Sequence, residues 1–293
     1  MWLWWIIASA IILSFYDLSK KASVGNNSVF PVLLGSTLSG WLAVSAYLVW
    51  RGDLSAALTI ATADIGRLLL KSCIVGASWT ATYMALRTLD ITSAAPIRAT
   101  GPLWTLIGGI LLFSESPTLV QGVGMFFVLA GCLVFSITNK NPNGRFWRDK
   151  SIFLAFAGTL LGSCSALYDK HLLQGRGIAV ETVLWWFLGG MALIYTLALV
   201  LSRRFAGKGE AFRFQWRWTI PLVGVLLALS DACYFKALSD EESLVSVLSM
   251  IRRSSVVITF FAGGAVFREK NIRRKAVALV TILTGVLILC IGK

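Results

Sequence analysis

Ten apolar stretches, each about as long as a bilayer is thick, follow one another along this chain with only short polar turns between them. They lie at roughly residues 2–19, 30–50, 66–86, 91–113, 118–138, 151–168, 183–202, 218–238, 243–267 and 276–292. A helix needs about 20 predominantly apolar residues to cross the hydrocarbon core. The pattern therefore predicts an all-α polytopic membrane protein with ten transmembrane helices. The connection at residues 139–150 (NKNPNGRFWRDK) is a polar Pro/Gly/Asn-rich turn at the midpoint of the chain. No stretch between spans is long enough to hide a soluble domain.

Composition agrees. Charged residues make up 14% of the 293 and hydrophobic ones 57%, with a mean hydropathy of +0.76. A soluble domain carries about a quarter charged residues. The five cysteines (Cys73, Cys132, Cys164, Cys233 and Cys290) stand singly, so no disulfide framework or thiolate metal site is indicated. His171 is the sole histidine, which excludes motifs that need two. No metal, cofactor or catalytic residue is expected, and the scattered serines supply no nucleophile–base pair. The net charge of +13 sits in short loops beside apolar spans, which fits lipid headgroups rather than nucleic acid. The N-terminus lacks a basic n-region. Trp2, Trp4 and Trp5 there, with Trp185, Trp186, Trp216 and Trp218, are expected to form an interfacial belt.

The two halves echo each other. Phe15-Tyr16-Asp17 answers Leu167-Tyr168-Asp169 at an offset of 152, and Arg51 answers Arg203. Tyr83-Met84-Ala85-Leu86 parallels Tyr234-Phe235-Lys236-Ala237-Leu238 with one insertion. Gly108-Gly109 before Glu115 parallels Gly263-Gly264 before Glu269. Such colinearity indicates duplication: a first five-helix repeat over 1–138, a linker at 139–150, and a second repeat over 151–293. With five spans per half, the repeats must lie inverted in the membrane, the architecture of secondary transporters with a site between the repeats. Seventeen Lys and Arg fall in loops after the odd-numbered spans and seven on the other side, which places both termini outside the cytoplasm.

Three arginines remain, and they lie inside spans. Arg98 is in the fourth; Arg252 and Arg253 sit side by side in the ninth, with 17 residues separating Arg98 from Glu115 and Arg252 from Glu269. A charge at that depth costs roughly 2.5–3.5 kcal/mol even on lenient scales, so it marks a cavity, an anion or a partner acid. Guanidinium groups hold carboxylate or phosphate oxygens bidentately. Consecutive helical residues point about 100° apart, so Arg252, which has a counterpart in Arg98, is the stronger candidate and Arg253 the weaker.

The Tyr83-Met-Ala-Leu86, Pro102 and Ser114-Glu115 marks, with Tyr234-Phe-Lys-Ala-Leu238 and Arg268-Glu269, resemble the drug/metabolite transporter superfamily, and within it the EamA-type ten-helix permeases. The resemblance implies a permease of the bacterial inner membrane, a monomer or homodimer, working by alternating access. Its cavity would be lined by spans 3, 4, 8 and 9 and the initial helices. Members are generally drawn with cytoplasmic termini, against the charge count here.

The residues thus expected at a substrate site are Arg98, Arg252, Arg253, Tyr83, Tyr234 and Lys236. Asp231, Asp17 and Asp169 are expected in coupling or gating. Asp231 lies mid-span and either carries a coupling proton or bridges to an arginine of the ninth span. Asp17 and Asp169 are repeat-related, at cavity rims or in interfacial Asp/Lys clusters; Lys71 either reaches the cavity or snorkels. Glu115 and Glu269 are expected in structural roles, and Gly108, Gly109, Gly122, Gly124, Gly263 and Gly264 in close helix packing. The function indicated is secondary transport of a small anionic or zwitterionic metabolite, coupled to a proton or counter-substrate. The alternatives are a flippase for a phosphate-bearing lipid intermediate and a drug exporter. The partners expected are that small molecule and membrane lipid.

Overall fold

The computed structural model describes residues 1–24, 27–88, 100–137, 150–205, 214–255, 258 and 272–292. These residues are helical, with no strand among them. The helices are α1 (Trp2–Val24), α2 (Val29–Arg51), a short α3 (Leu54–Leu58), α4 (Thr62–Thr88), α5 (Gly101–Phe113) and α6 (Leu119–Ile137). The second half contributes α7 (Lys150–Lys170), α8 (Val180–Phe205), α9 (Thr219–Leu238), α10 (Val245–Arg253) and α11 (Ile272–Ile291). Each apolar stretch read from the sequence coincides, wholly or in part, with one of these helices. Among the described residues, five segments are long and apolar enough to cross a membrane: 2–20, 29–51, 151–175, 180–201 and 219–238. The chain is an all-helical integral membrane protein.

Alternate helices run in opposite directions, which gives the bundle two faces. On the first face the start of α1 meets the end of α9, where the Met1 amino group lies 3.7 Å from Asp240. On the second face α1 ends beside the start of α9, with the Asn27 amide donating to the Gln215 carbonyl at 3.0 Å. Where α7 ends on the first face it runs into a π turn, His171–Gly175, closed by the Arg176 N–H donating to the His171 carbonyl at 2.9 Å.

The packing crosses between halves almost everywhere. α1 lies on α9, α4 on α7, α2 on both α8 and α9, α4 on α8, α5 on α7 and α10, α1 on α10, and α6 on α11. Exchanging α1, α2, α4, α5 and α6 in order with α7, α8, α9, α10 and α11 maps this set onto itself: α1–α9 becomes α7–α4, and α5–α7 becomes α10–α1. Where α2 crosses α9 the backbones approach so closely that a Cβ at Gly224 would lie 2.0 Å from the Ser36 carbonyl oxygen. Small residues permit this kind of contact between membrane helices.

Two expectations need correction here. Gly124 packs against α11, where a Cβ would lie 3.0 Å from the Gly285 carbonyl, and Gly108 faces Leu167; but no described residue lies within 4 Å of a Cβ at Gly122. Gly122 is on the outer face of α6. The tryptophans also divide. Trp4, Trp216 and Trp218 are exposed as a belt requires, whereas Trp2 is 3% exposed and Trp185 and Trp186 turn inward. The indole N–H of Trp185 donates to Ser45 Oγ at 2.9 Å and that of Trp186 to the Ala57 carbonyl at 3.0 Å. These rings pack α8 against α2 and α3.

Candidate substrate cavity

A cavity of about 320 Å³ opens between the halves, lined by α1, α4, α5, α7, α8, α9, α10 and the residues after α10. Its wall residues include Asp17 and Lys20 on α1, Ser78 and Thr82 on α4, Gly101 on α5, and Arg252 and Arg253 on α10. On α1 they lie toward the second face, as do Gly158 and Thr159 on α7. Toward the first face the floor is formed by Lys71, Asp169, Phe187, Tyr234 and Phe235.

Arg252 comes from the last turn of α10, whose first turn is buried on the first face. Its guanidinium donates to the Asp231 carboxylate and, at 3.4 Å, to Ser230 Oγ. Its Cζ lies 4.4 Å from the Tyr234 ring centroid, at a cation–π distance. Asp231 and Tyr234 are three apart on α9 and so share a face. Arg252 is held between them, and its Nε has no partner among the described residues. Both the ionic and the aromatic contact orient the guanidinium rather than consume all of its five donors.

Arg253 reaches the same cavity from a direction about 100° around α10. A Cβ at Gly101 would lie 3.1 Å from its Nη2, with Thr159 and Ser163 close by. Glycine at 101 therefore leaves the room that the guanidinium occupies. The 100° separation between the two arginines does not keep either out of the cavity, because the cavity wraps around the end of α10.

On the floor, Lys71 of α4 pairs with Asp169 of α7, and both side chains are almost fully buried. The Lys71 ammonium also lies 4.4 Å from the Phe187 ring centroid and 4.8 Å from that of Phe235. Asp17 lines the cavity near Lys20, whose Nζ sits 5.3 Å from the Tyr16 ring.

The structure thus brings Arg252, Arg253, Tyr234, Asp231, Asp169 and Asp17 to one cavity. Lys236 is not among them. It is exposed, with Nζ 4.9 Å from the Trp5 ring. Five residues beyond Asp231 on a helix, it points away from the face of α9 that lines the cavity. Arg98 and Glu269 lie outside the described residues, as does the side chain of Tyr83. Sequence reasoning missed the polar lining contributed by Ser78, Thr159, Ser163 and Ser249. Isolated hydroxyls in apolar runs give no periodic signal, since most such groups bond their own helix carbonyls, as Thr159 does to Ala155 at 2.8 Å.

Residues 1–137 match the model of the EamA-like transporter family. Over 137 residues the chain is 26% identical to an uncharacterized transporter in the cobO 3′ region of Sinorhizobium sp., covering 46% of this chain and 96% of that protein. A solved structure described only as "Crystal structure of protein" superposes with a TM-score of 0.78 at 15% identity, covering 98% of this chain and 96% of the other. That likeness is one of fold and extends through both halves.

Proposed function

We propose, from the premise that the chain is a membrane transporter whose residues 1–137 match the EamA-like transporter family, that it is a secondary transporter of a small anionic or zwitterionic metabolite. The observation that carries this reading is that Arg252 and Arg253 both enter one cavity of about 320 Å³ between the halves. That volume suits a metabolite-sized ligand. Two guanidinium groups at the wall match the planar oxygens of a carboxylate or phosphate. They also repel hydrophobic cations, which sets the chain apart from an exporter of cationic drugs.

The halves act as two inverted repeats whose helices interleave around this site, and packed groups of helices drawn from both rock about it. The exchange symmetry of the helix packing supports that reading, as does the placement of the cavity toward one face. By the count of basic residues, this is the cytoplasmic face. An arriving anion competes with Asp231 for the Arg252 guanidinium. When the anion takes Arg252, Asp231 becomes the place at which a coupling proton binds, so substrate and proton movement are linked through one side chain.

The test is uptake into proteoliposomes across a panel of carboxylate- and phosphate-bearing metabolites. Arg252→Ala abolishes uptake of the transported compound while the protein still inserts and folds. Transport at the parent rate in that variant refutes the anion site.

A further inference from the structure

Beyond the cavity floor, on the first face, lies a second buried ion pair. Lys170 Nζ is 2.7 Å from Glu115 Oε1, and the Glu115 side chain is 1% exposed. Asp169 and Lys170 are consecutive at the end of α7, yet each reaches a different element of the first half: Asp169 binds Lys71 on α4, Lys170 binds Glu115 just after α5. Among the described residues these are the buried ion pairs that join the two halves.

Glu115 does more than pair. Its Oε1 accepts the Val245 N–H at 2.7 Å, and its Oε2 accepts the Ser246 hydroxyl at 2.6 Å and the Ser246 N–H at 3.4 Å. These are the first N–H groups of α10, the donors a helix leaves unsatisfied at its start. A carboxylate of the first half thus caps a helix of the second, where the dipole also favours negative charge. The cap sits at one end of α10 and Arg252 at the other.

Local backbone is strained to deliver this carboxylate. Ser114 adopts a left-handed conformation (φ 52), the one non-glycine residue with positive φ among those described. It turns the chain after α5 so that the Glu115 N–H returns to the Gly109 carbonyl at 3.1 Å. The carboxylate then lies where Gly109 has no side chain: a Cβ there would sit 2.6 Å from Glu115 Oε2. Strain of this kind persists when the surroundings over-determine it and points to function. Buried ion pairs are also poor stabilisers compared with apolar packing, so their retention calls for another role.

We infer that Glu115 and Lys170 form the latch that closes the first face, with Glu115 tying the latch through α10 to Arg252. For the cavity to open toward the first face, α7 must separate from α4 and α5, and both crossed pairs must part. Release of Glu115 from the start of α10 frees the helix that carries Arg252, so the state of the gate and the position of the binding guanidinium change together. The inference rests on alternating access, but not on the identity of the substrate.

The test is thiol labelling of full-length protein in proteoliposomes, in a background without the native cysteines, by a membrane-impermeant maleimide applied from the first face. Ser243→Cys reports the latch, since Ser243 is buried beside it and its carbonyl lies 3.4 Å from Lys170 Nζ. Ser249→Cys reports the cavity. In the parent, Ser249→Cys labels from both faces, slowly from the first. Lys170→Met, and independently Glu115→Gln, raise labelling of both reporters from the first face about tenfold. Labelling unchanged by both substitutions, with Ser249→Cys still reached from both faces in the parent, overturns the latch and leaves alternating access standing. A parent in which Ser249→Cys is reached from one face alone overturns alternating access and the latch with it. Parent-rate transport in Arg252→Ala, with labelling still raised by Lys170→Met and Glu115→Gln, refutes the anion site and supports the latch, so the two proposals fail separately.

Discussion

Arg252 pairs with Asp231 inside the second half of the molecule, and neither residue contacts the first half through that bond. The helices that carry it, α9 and α10, each pack on helices of the first half, and Ser230 beside it bonds Ser9 of α1. Asp231 is the less exposed partner, at 9% against 21% for the arginine side chain. The guanidinium thus faces the cavity and the carboxylate sits behind it. This order suits competition between an incoming anion and a fixed internal one. Asp231→Asn removes the competitor and the proton site while leaving a hydrogen-bond acceptor. Uptake should persist in that variant but lose its response to an imposed pH gradient, as measured in proteoliposomes with and without the gradient. Unchanged dependence on the gradient would make Asp231 a static anchor.

The position of Arg253 depends on the missing side chain at Gly101. Gly101→Val places branched carbon where the Arg253 guanidinium lies. Since the displaced atoms are the end of a flexible side chain, the expected loss is in apparent affinity, several-fold in KM, with the thermal midpoint nearly unchanged. Concentration-dependent uptake beside a melting curve checks both. A large loss of stability with unaltered KM would show that Arg253 packs rather than binds.

The Lys71–Asp169 pair gives a stability prediction with a built-in control. Removing one partner leaves a buried charge without its counter-ion, which costs about 3–5 kcal/mol, whereas apolar replacement of both is near neutral. Lys71→Met should therefore melt well below the parent, and Lys71→Met with Asp169→Leu should recover most of the difference. Transport should fail to recover, because the pair joins the halves at the cavity floor. Melting in detergent, followed by uptake, separates these effects.

Lys236 supplies a negative prediction. Its ammonium sits over Trp5 on the outside of the bundle. Lys236→Ala should transport like the parent, and a loss of more than a few-fold would return it to the cavity.

Much of this arrangement was legible in the sequence, and the residues show why. Apolar runs mark spans because lipid tolerates no unsatisfied backbone, so the order of the helices needed no contacts to be read. Arg252, Arg253 and Asp231 stood out because buried charge is costly and therefore rare. Lys236 follows the Tyr234-Phe235 mark closely in sequence, but five residues along a helix turn it away from the face of Asp231. The latch was hidden for a different reason. Lys170 fell in an interfacial Asp/Lys cluster and Glu115 in a structural role, each at the end of its span, and their meeting depends on how α7 crosses the end of α5. That Asp169 and Lys170 should bind opposite charges on two different elements is a property of tertiary packing, which periodicity does not encode. The short α3 likewise carries too few residues for an amphipathic pattern to show.

The central claim is that the arginine-lined cavity binds an anionic group, and ligand-induced stabilisation reads it most directly. Specific binding to the folded state raises the melting midpoint by mass action. Purified parent and Arg252→Gln protein are melted against the same panel of carboxylate-, phosphate- and amine-bearing metabolites. The account predicts that at least one carboxylate- or phosphate-bearing compound raises the midpoint of the parent and leaves that of Arg252→Gln unmoved. Stabilisation of the parent by cationic or neutral compounds alone, or equal stabilisation of both proteins by the anion, would contradict it.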